Sequence, residues 1–176
     1  IPVGINPKNI IYDPNNSYIY VANAGSNTVS VINPSTNQVI ANILTGSVPC
    51  GITYDPKNGY IYVTDALSDT VSVINTSTNQ VVANISVGSS PIGITYDPKN
   101  GYLYVINTGS NTVSVINPST NQVIANIQVG LVPCGITYDP KNGYIYVVNS
   151  ESGSISIITN STIQSTTCLL YTSPSP

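Results

Sequence analysis

Histidine, arginine, methionine, tryptophan and phenylalanine are all absent from this 176-residue chain. Without histidine the chain has no Ser-His-Asp or Cys-His triad, no histidine-based zinc site and no imidazole proton shuttle. Charged residues make up only 6 % of the chain, and the net charge is −3. Because phosphate backbones are bound by clustered cations, we do not expect a nucleic-acid partner. An apolar run of about 18 residues is also lacking, so the sequence predicts no membrane-spanning helix.

Isoleucine, valine and tyrosine supply most of the apolar content, which is 41 % of the chain. The 13 tyrosines are the only aromatic residues. β-Branched and aromatic residues favour strands, and their abundance argues against a disordered chain. The composition therefore indicates an all-β fold whose polar surface is made of Asn, Ser and Thr.

A repeat of 42 residues runs through the chain without insertion. The tripeptide Tyr-Asp-Pro marks its register, beginning at Tyr12, Tyr54, Tyr96 and Tyr138. Each repeat reads as four short strands bounded by Gly, Pro and Asn, which in the second repeat are 51–54, 60–63, 70–74 and 80–85. Units of this size with four strands are typical of β-propeller blades. The strand at 60–63 is apolar or aromatic at every position, as expected for a sheet covered on both faces.

The hairpin between the first two strands has its own turn chemistry. In the second repeat, Pro56 presets a type I turn, Asp55 can accept from the backbone N–H groups of the turn, and Gly59 supplies the left-handed residue. We therefore interpret the repeated acids at the start of this turn as local caps, and the lysines at its tip as solvated. The acids are Asp13, Asp55, Asp97 and Asp139, and the lysines are Lys57, Lys99 and Lys141.

The register of the repeat defines the expected domain organisation. Residues 1–160 are predicted to be propeller blades, with repeats at about 5–46, 47–88, 89–130 and 131–170, and with 1–4 completing a preceding blade. Residues 161–176 are predicted to be a degenerate last strand followed by a non-native tail. Two arrangements remain open: about four blades of a larger, seven-bladed ring, whose missing blades belong to the same chain, or a closed ring of four.

The segments YVAN, YVTD, YVIN and YVVN, followed by TVSVIN and NQVIANI, resemble the YVTN β-propeller repeat. That family is similar to archaeal surface-layer propellers and to bacterial YncE-like proteins. The resemblance implies an extracellular, cell-surface or periplasmic setting. It does not imply a catalytic site, because the shared residues are those that build the blade.

The candidates for a binding or metal site are acidic residues that do not belong to the repeated pattern. Asp65, Asp69 and Glu151 fall in or beside the loops between second and third strands, which in a propeller share a rim with the connections between blades. Their oxygens suit Ca²⁺, but the spacing matches no calcium loop, so they are weak candidates. We expect no metal, no other cofactor and no catalytic residue.

Cysteines and glycosylation sequons complete the candidate residues. Cys50 and Cys134 occupy the same blade position two repeats apart, too far for a disulfide, and are predicted to be free thiols interchangeable with isoleucine. Cys168 lies in the segment 161–176, which is predicted to end in a non-native tail. The sequons are at Asn15, Asn75, Asn84 and Asn160, and Asn15 and Asn75 are expected in exposed turns.

The function predicted from these observations is non-enzymatic. Near-identical blades present near-identical rims, which suit a scaffold or a recognition surface for protein or glycan better than a unique active site. The alternative is part of a propeller enzyme of the lactonase or dehydrogenase type, with its site at the channel mouth. Acid–base chemistry of that kind needs a perturbed titratable group in a cleft, and the sequence offers few.

Overall fold

The computed structural model describes residues 1–160, in which every regular element is a β-strand. The strands alternate with short turns along the whole described chain. Their bounds are β1 Pro7–Asp13, β2 Tyr18–Asn23, β3 Thr28–Asn33, β4 Gln38–Leu44, β5 Pro49–Asp55, β6 Tyr60–Asp65, β7 Thr70–Asn75, β8 Gln80–Ser86, β9 Pro91–Asp97, β10 Tyr102–Asn107, β11 Thr112–Asn117, β12 Gln122–Gln128, β13 Pro133–Tyr138, β14 Ile145–Asn149 and β15 Ser154–Ile158.

Consecutive strands pair into antiparallel sheets, one for each repeat. Strands β1 to β4 form blade 1, β5 to β8 form blade 2 and β9 to β12 form blade 3, each in the order of the sequence. Blade 4 contains β13 to β15. The predicted degenerate strand and tail at 161–176, with Cys168, lie outside the described residues. The all-β architecture of four-stranded antiparallel blades is confirmed.

Burial across a blade explains why these residues form these strands. In β6, Ile61 to Asp65 are all buried, because both faces of this strand are covered by neighbouring blades. In β8 the pattern alternates between exposed and partly buried positions, as expected of an outer strand with one wet face. The outward apolar positions of the fourth strands in blades 1 to 3 are exposed, and they are Ile40, Val82 and Ile124.

The hairpin turns follow the predicted chemistry. Asp55 Oδ1 accepts the backbone N–H of Lys57 at 2.8 Å, and the same bond recurs in the other repeats. Gly59 adopts a φ of 75°, and in blade 1 Ser17 takes this place with a φ of 63°. The repeated acids are therefore structural caps, as predicted.

Neighbouring blades pack face to face through apolar residues. The forward face of blade 1, which includes Tyr20, Val29 and Val31, packs on the backward face of blade 2, which includes Ile52 and Ile61. Equivalent clusters join blade 2 to blade 3 and blade 3 to blade 4. Tyr20, Tyr62 and Tyr104 are almost completely buried between blades, and burial raises the pKa of Tyr62 and of Tyr104 to about 12.

The two ends of this stack are exposed among the described residues. Ile10 of blade 1 is 60 % exposed, whereas its counterpart Ile52 in blade 2 is 6 % exposed. Val148 and Ile155 of blade 4 are 45 % and 50 % exposed. The four blades thus form an open arc over residues 1–160, and the closed ring of four is not what the structure shows.

Cys50 and Cys134 are free, as predicted. Cys50 is partly buried and its thiol donates to the carbonyl of Val48 at 3.4 Å, and burial raises the pKa of this thiol. Within the described residues, none of the elements is a helix long and apolar enough to cross a bilayer.

Candidate functional site: the loop rim

We call one edge of the arc the loop rim. It contains the loops between second and third strands, 24–27, 66–69, 108–111 and 150–153, and the linkers that enter each blade, 1–6, 45–48, 87–90 and 129–132. Backbone bonds join each linker to the loop of the blade it enters, for example Ala66 N–H to Val48 O at 3.0 Å. The prediction that these two kinds of segment share a rim is confirmed.

A serine fixes each loop to the linker of its own blade. In blade 2, Ser68 Oγ accepts the N–H of Ser47 at 2.8 Å, and in blade 4, Ser152 Oγ accepts the N–H of Leu131 at 2.6 Å. Blades 1 and 3 make the same bond through Ser26 and Ser110. The serine at this position is therefore structural in all four blades.

The next residue of the loop joins one blade to the following one. Asn27 Oδ1 accepts the N–H of Val48 at 2.9 Å, Asp69 Oδ1 that of Ser90 at 2.8 Å, and Asn111 Oδ1 that of Val132 at 2.8 Å. The linker residues that donate have positive φ angles of 53–59°, which strain a valine. The bond therefore holds a strained linker in place. Blade 4 has Gly153 at this position and no side chain to make the bond.

A row of buried amides lies directly beneath the loops. Asn23 is completely buried and its Nδ2 donates to Ser30 Oγ at 2.9 Å. Ser30 in turn donates to Asn42 Oδ1 at 2.7 Å. The same chain of bonds recurs at Asn107, Ser114 and Asn126, and Asn149 Nδ2 likewise donates to Ser156 Oγ at 2.9 Å. In every blade the Oδ1 atom of the buried residue has no partner, and these atoms belong to Asn23, Asp65, Asn107 and Asn149.

Asp65 takes the place of the buried amide in blade 2. Its Oδ2 lies 2.7 Å from Ser72 Oγ, which also lies 3.1 Å from Asn84 Oδ1. One hydroxyl proton cannot satisfy two acceptors. A protonated Asp65 removes the conflict, because it donates to Ser72 as the amides do in the other blades. Burial, partly opposed by hydrogen bonds from Ser72 and Thr70, raises the pKa of Asp65.

The three acidic candidates therefore have separate roles. Asp65 is buried in the amide row, Asp69 binds the following linker through Oδ1, and Glu151 is exposed at the tip of its loop. Over residues 1–160, no three His, Cys, Asp or Glu side chains gather as a metal site would require. The candidates do not combine into one coordination shell.

Large apolar side chains occupy several tips of the loop rim. Ile5, Leu67 and Leu131 are 72 %, 74 % and 51 % exposed. Each tip pairs a linker residue with a loop residue, as where Leu67 N–H donates to Ser47 O at 3.1 Å and Glu151 N–H to Leu131 O at 3.3 Å. These positions differ from blade to blade. The four tip pairs are Ile5 with Gly25, Ser47 with Leu67, Ser89 with Gly109, and Leu131 with Glu151.

Sequence reasoning missed these tips because it sought chemistry in charged residues. The available signal was divergence within an otherwise constant repeat. A position that the blade does not need is free to vary, and Gly25, Leu67, Gly109 and Glu151 vary in size, charge and hydropathy.

The opposite edge, the hairpin rim, is more uniform. In each blade an asparagine of the first hairpin donates to a buried or partly buried tyrosine, for example Asn58 Nδ2 to Tyr62 OH at 2.8 Å. Across blades, burial together with the negative charge of Asp55 raises the pKa of Tyr96 to about 12. This edge is mainly a set of structural bonds.

The four sequon asparagines differ in their surroundings. Asn15 is exposed in the first hairpin turn, whereas Asn75 is partly buried and its Oδ1 accepts the N–H of Ser77. Asn84 is exposed on an outer strand, and Asn160 Oδ1 accepts a bond from Asn100. Glycosylation of these residues stays a prediction.

The fold and the repeat define a β-propeller class of protein, and the comparisons with known proteins agree. The sequence model of the YncE-like beta-propeller family matches residues 9–103. The chain belongs to this family. A search of curated proteins finds no match.

Solved structures share the fold at low sequence identity. Hydrazine synthase from Kuenenia stuttgartiensis matches with a TM-score of 0.83 and 22 % identity over 93 % of this chain and 49 % of its own. Virginiamycin B lyase from Staphylococcus aureus, a catalytically inactive variant with quinupristin, matches with a TM-score of 0.81 and 20 % identity over 100 % of this chain and 59 % of its own. A functionally unknown protein from Desulfotomaculum acetoxidans matches with a TM-score of 0.78 and 19 % identity over 91 % of this chain and 54 % of its own. The chain thus spans about half the length of the structures it matches.

Proposed function

We propose that this chain is a non-enzymatic recognition module that contacts a protein partner through the loop rim, in a secreted, cell-surface or periplasmic setting. The observation that carries the proposal is the exposure of Ile5, Leu67 and Leu131 at positions where the repeats differ. Exposed aliphatic groups on a fixed frame are the usual centre of a protein contact, since their burial on binding is favourable.

The frame beneath these tips supports the same function. The serine bonds in all four blades, together with the bonds from Asn27, Asp69 and Asn111 to the following linkers, hold these segments, so the tips are ordered before a partner arrives. A preorganised surface loses less conformational entropy on binding. The setting outside the cytoplasm rests on the resemblance to surface-layer propellers.

Selection of peptides from a displayed library against the full chain tests the proposal. We expect the selected peptides to bind at least about tenfold more weakly when Ile5, Leu67 and Leu131 are all changed to Ser, because the variant offers less aliphatic surface for a bound peptide to cover. The matched control changes Ile40, Val82 and Ile124 to Ser, three exposed residues of the outer strands. Peptides that bind the rim variant and the parent with equal affinity would contradict the proposal. If the chain bound a glycan array and no peptide, the partner would be a glycan and not a protein.

The second candidate is a propeller enzyme of the lactonase or dehydrogenase type, favoured by the similarity to virginiamycin B lyase. The solved variant of that enzyme is inactive after a histidine was replaced by alanine, and this chain contains no histidine. Incubation of the chain with quinupristin, followed by mass spectrometry, tests this candidate. We expect the compound to remain intact, and its conversion by the chain would favour the enzyme.

A further inference from the structure

A polar recess lies on the hairpin rim at the joint between blades 2 and 3. It has a volume of about 530 Å³, and its wall is formed by the first hairpins of both blades and by the second hairpin of blade 3. This volume falls within the range of about 300–1,000 Å³ that is usual for small-ligand sites. The recess lies inside the arc, between two blades that are both packed on neighbours.

An asparagine amide without a partner lies in the wall of this recess. At the equivalent joint between blades 1 and 2, Asn79 Oδ1 accepts a bond from Tyr20 OH at 3.4 Å. The counterpart in blade 3 is Asn121, whose Oδ1 is buried and has no hydrogen-bond partner among residues 1–160. An unsatisfied buried acceptor is costly. Rotation about the last side-chain bond of Asn121 turns this oxygen toward the recess, where a ligand hydroxyl can donate to it.

A lysine crosses the joint and adds a hydrogen-bond donor to the same recess. A Cβ atom built on Gly101 would lie 2.6 Å from Lys57 Nζ, so the glycine leaves the space that the ammonium group from blade 2 occupies. In blade 1 the counterpart of Lys57 is Asn15. The joint between blades 2 and 3 therefore holds a cation where the preceding joint holds an amide.

Two tyrosines give the recess apolar surface as well. Tyr60 and Tyr102 line it and are half-buried, so part of each side chain is open to a ligand. Asn117 Oδ1 accepts the N–H of Ser119 at 3.0 Å, and this bond orients the amide of Asn117 before a ligand binds. The wall thus combines ring surface with fixed polar groups, as small-ligand sites usually do.

The charges in the wall favour a neutral ligand. Asp55 and Lys57 both belong to the wall, and their formal charges cancel. Asp55 is buried, and its Oδ1 accepts the backbone N–H of Lys57 at 2.8 Å. An anion bound by Lys57 would also lie near this carboxylate, whereas a neutral hydroxyl accepts from the ammonium group without that repulsion.

We propose that the recess between blades 2 and 3 binds a neutral hexose unit of an oligosaccharide. A pyranose ring carries adjacent hydroxyls, which both donate and accept, and its C–H faces are apolar. Asn121 and Lys57 supply an acceptor and a donor for neighbouring hydroxyls, and Tyr60 and Tyr102 supply surface for a C–H face. The site lies on the edge opposite the loop rim, so it is additional to the protein contact proposed above.

Titration of the isotopically labelled chain with cellobiose, maltose and lactose, followed by amide chemical shifts in NMR spectra, tests the proposal. We expect at least one of these neutral disaccharides to bind with a dissociation constant of about 10 mM or lower. The largest shifts should occur at Tyr60, Gly101, Tyr102 and Asn121, which belong to the wall of the recess.

Two pairs of variants locate the site. Asn121→Gly removes the amide without adding strain, because glycine accepts the φ of 53° found there. It should raise the dissociation constant at least about fivefold. Asn79→Gly is the matched control, since it makes the same change at a joint where the amide is already bonded. Lys57→Asn, which copies Asn15 of blade 1, should also weaken binding, whereas Lys99→Asn should not.

Three outcomes would overturn the proposal. The first is the absence of shifts with all three disaccharides at about 20 mM. The second is binding that both Asn121→Gly and Lys57→Asn leave unchanged, while circular dichroism shows that the variants keep their β-structure. The third is a preference for methyl glucuronide over methyl glucoside that disappears in high salt, which would indicate an anion site.

The loop-rim variant separates this site from the proposed protein contact. The chain in which Ile5, Leu67 and Leu131 are all changed to Ser should bind the disaccharide with the affinity of the parent, because these residues lie on the other edge of the blades. Loss of sugar binding in that variant would place the sugar on the loop rim and contradict the recess as its site.

Discussion

Single residues explain how one blade can differ from its neighbours without changing shape. Asp65 fills the site of an amide, is completely buried and lies among the hydroxyl and amide groups of Ser72 and Asn84. An amide donates to the serine at every pH, whereas a carboxyl donates only when it is protonated. The backbone is the same with either residue, and we expect the two residues to differ in how the stability of the protein depends on pH.

Asp65→Asn should stabilise the protein at pH 7, by about 1 kcal/mol or about 2–4 °C in Tm. Burial raises the pKa of Asp65 above its ordinary value of 3.8, so the folded state binds the proton more tightly than the unfolded state. The stabilisation by that proton is complete below the unfolded pKa and is lost as the pH rises through the folded pKa. Thermal unfolding from pH 3 to pH 8 measures the effect.

The reverse change in blade 3 is the matched control for this prediction. Asn107→Asp places a second carboxyl in an equivalent buried site. We expect it to lower Tm at pH 7 and to have a smaller effect near pH 3. Equal Tm differences at both ends of the pH range would show that ionisation of this site does not matter.

Among the elements, the strands and their hairpins are nearly all readable from the sequence. The predicted strand 60–63 corresponds to β6, Tyr60–Asp65, and the predicted strand 80–85 corresponds to β8, Gln80–Ser86. Both signals are local, because β-branched residues and turn residues act over a few positions. Predicted bounds fall short by one or two residues at a strand end, as where Ser86 continues β8, and where Pro49 and Cys50 begin β5 ahead of the predicted 51–54.

The loops and linkers were less predictable, because their bonds join distant residues. Asn111 and Val132 lie 21 residues apart, and neither residue type indicates the contact. Asp69 suggested a cation ligand by its charge, yet its carboxylate accepts a backbone N–H. The equivalence of Asn27, Asp69 and Asn111 in the repeat was available, but only the structure shows that the shared property is an acceptor oxygen.

Asn111→Gly should loosen the linker at 129–132. The change removes the acceptor for the N–H of Val132 without adding strain, because glycine accepts the φ of 56° found at this position. If the lost hydrogen bond lowers the free energy of local opening by about 1 kcal/mol, hydrogen exchange at the Val132 amide becomes about fivefold faster. Asn111→Asp, which keeps the oxygen as Asp69 does, should leave that exchange rate near the parent value. Unchanged exchange in the glycine variant would assign the bond no role.

In the whole molecule, the burial of a side chain depends on whether a neighbouring blade covers it, and not on its residue type and repeat position alone. Ile10 and Ile52 are the same residue type at the same repeat position, but only Ile52 has a blade packed against it. The number of blades, and whether the ring closes, could not be derived from any one repeat. The sequence repeat determines the structure of one blade, whereas the position of that blade in the stack determines which of its faces are exposed.

Ile52→Ala should lower the free energy of unfolding by about 2–5 kcal/mol, because it leaves a cavity between blades 1 and 2. Ile10→Ala should change it by about 0.5 kcal/mol or less, because Ile10 is largely exposed. Urea denaturation followed by tyrosine fluorescence measures both. Similar losses for the two variants would mean that the backward face of blade 1 is covered within a single chain.

The strict 42-residue register also governs how such a chain can change in length. Removing one whole repeat brings a forward face against a backward face of the kind it already fits, and duplicating one repeat does the same. Insertions or deletions of another size within a strand shift its residues off their partners. The arc can therefore become longer or shorter in whole steps, while every surviving joint keeps its contacts.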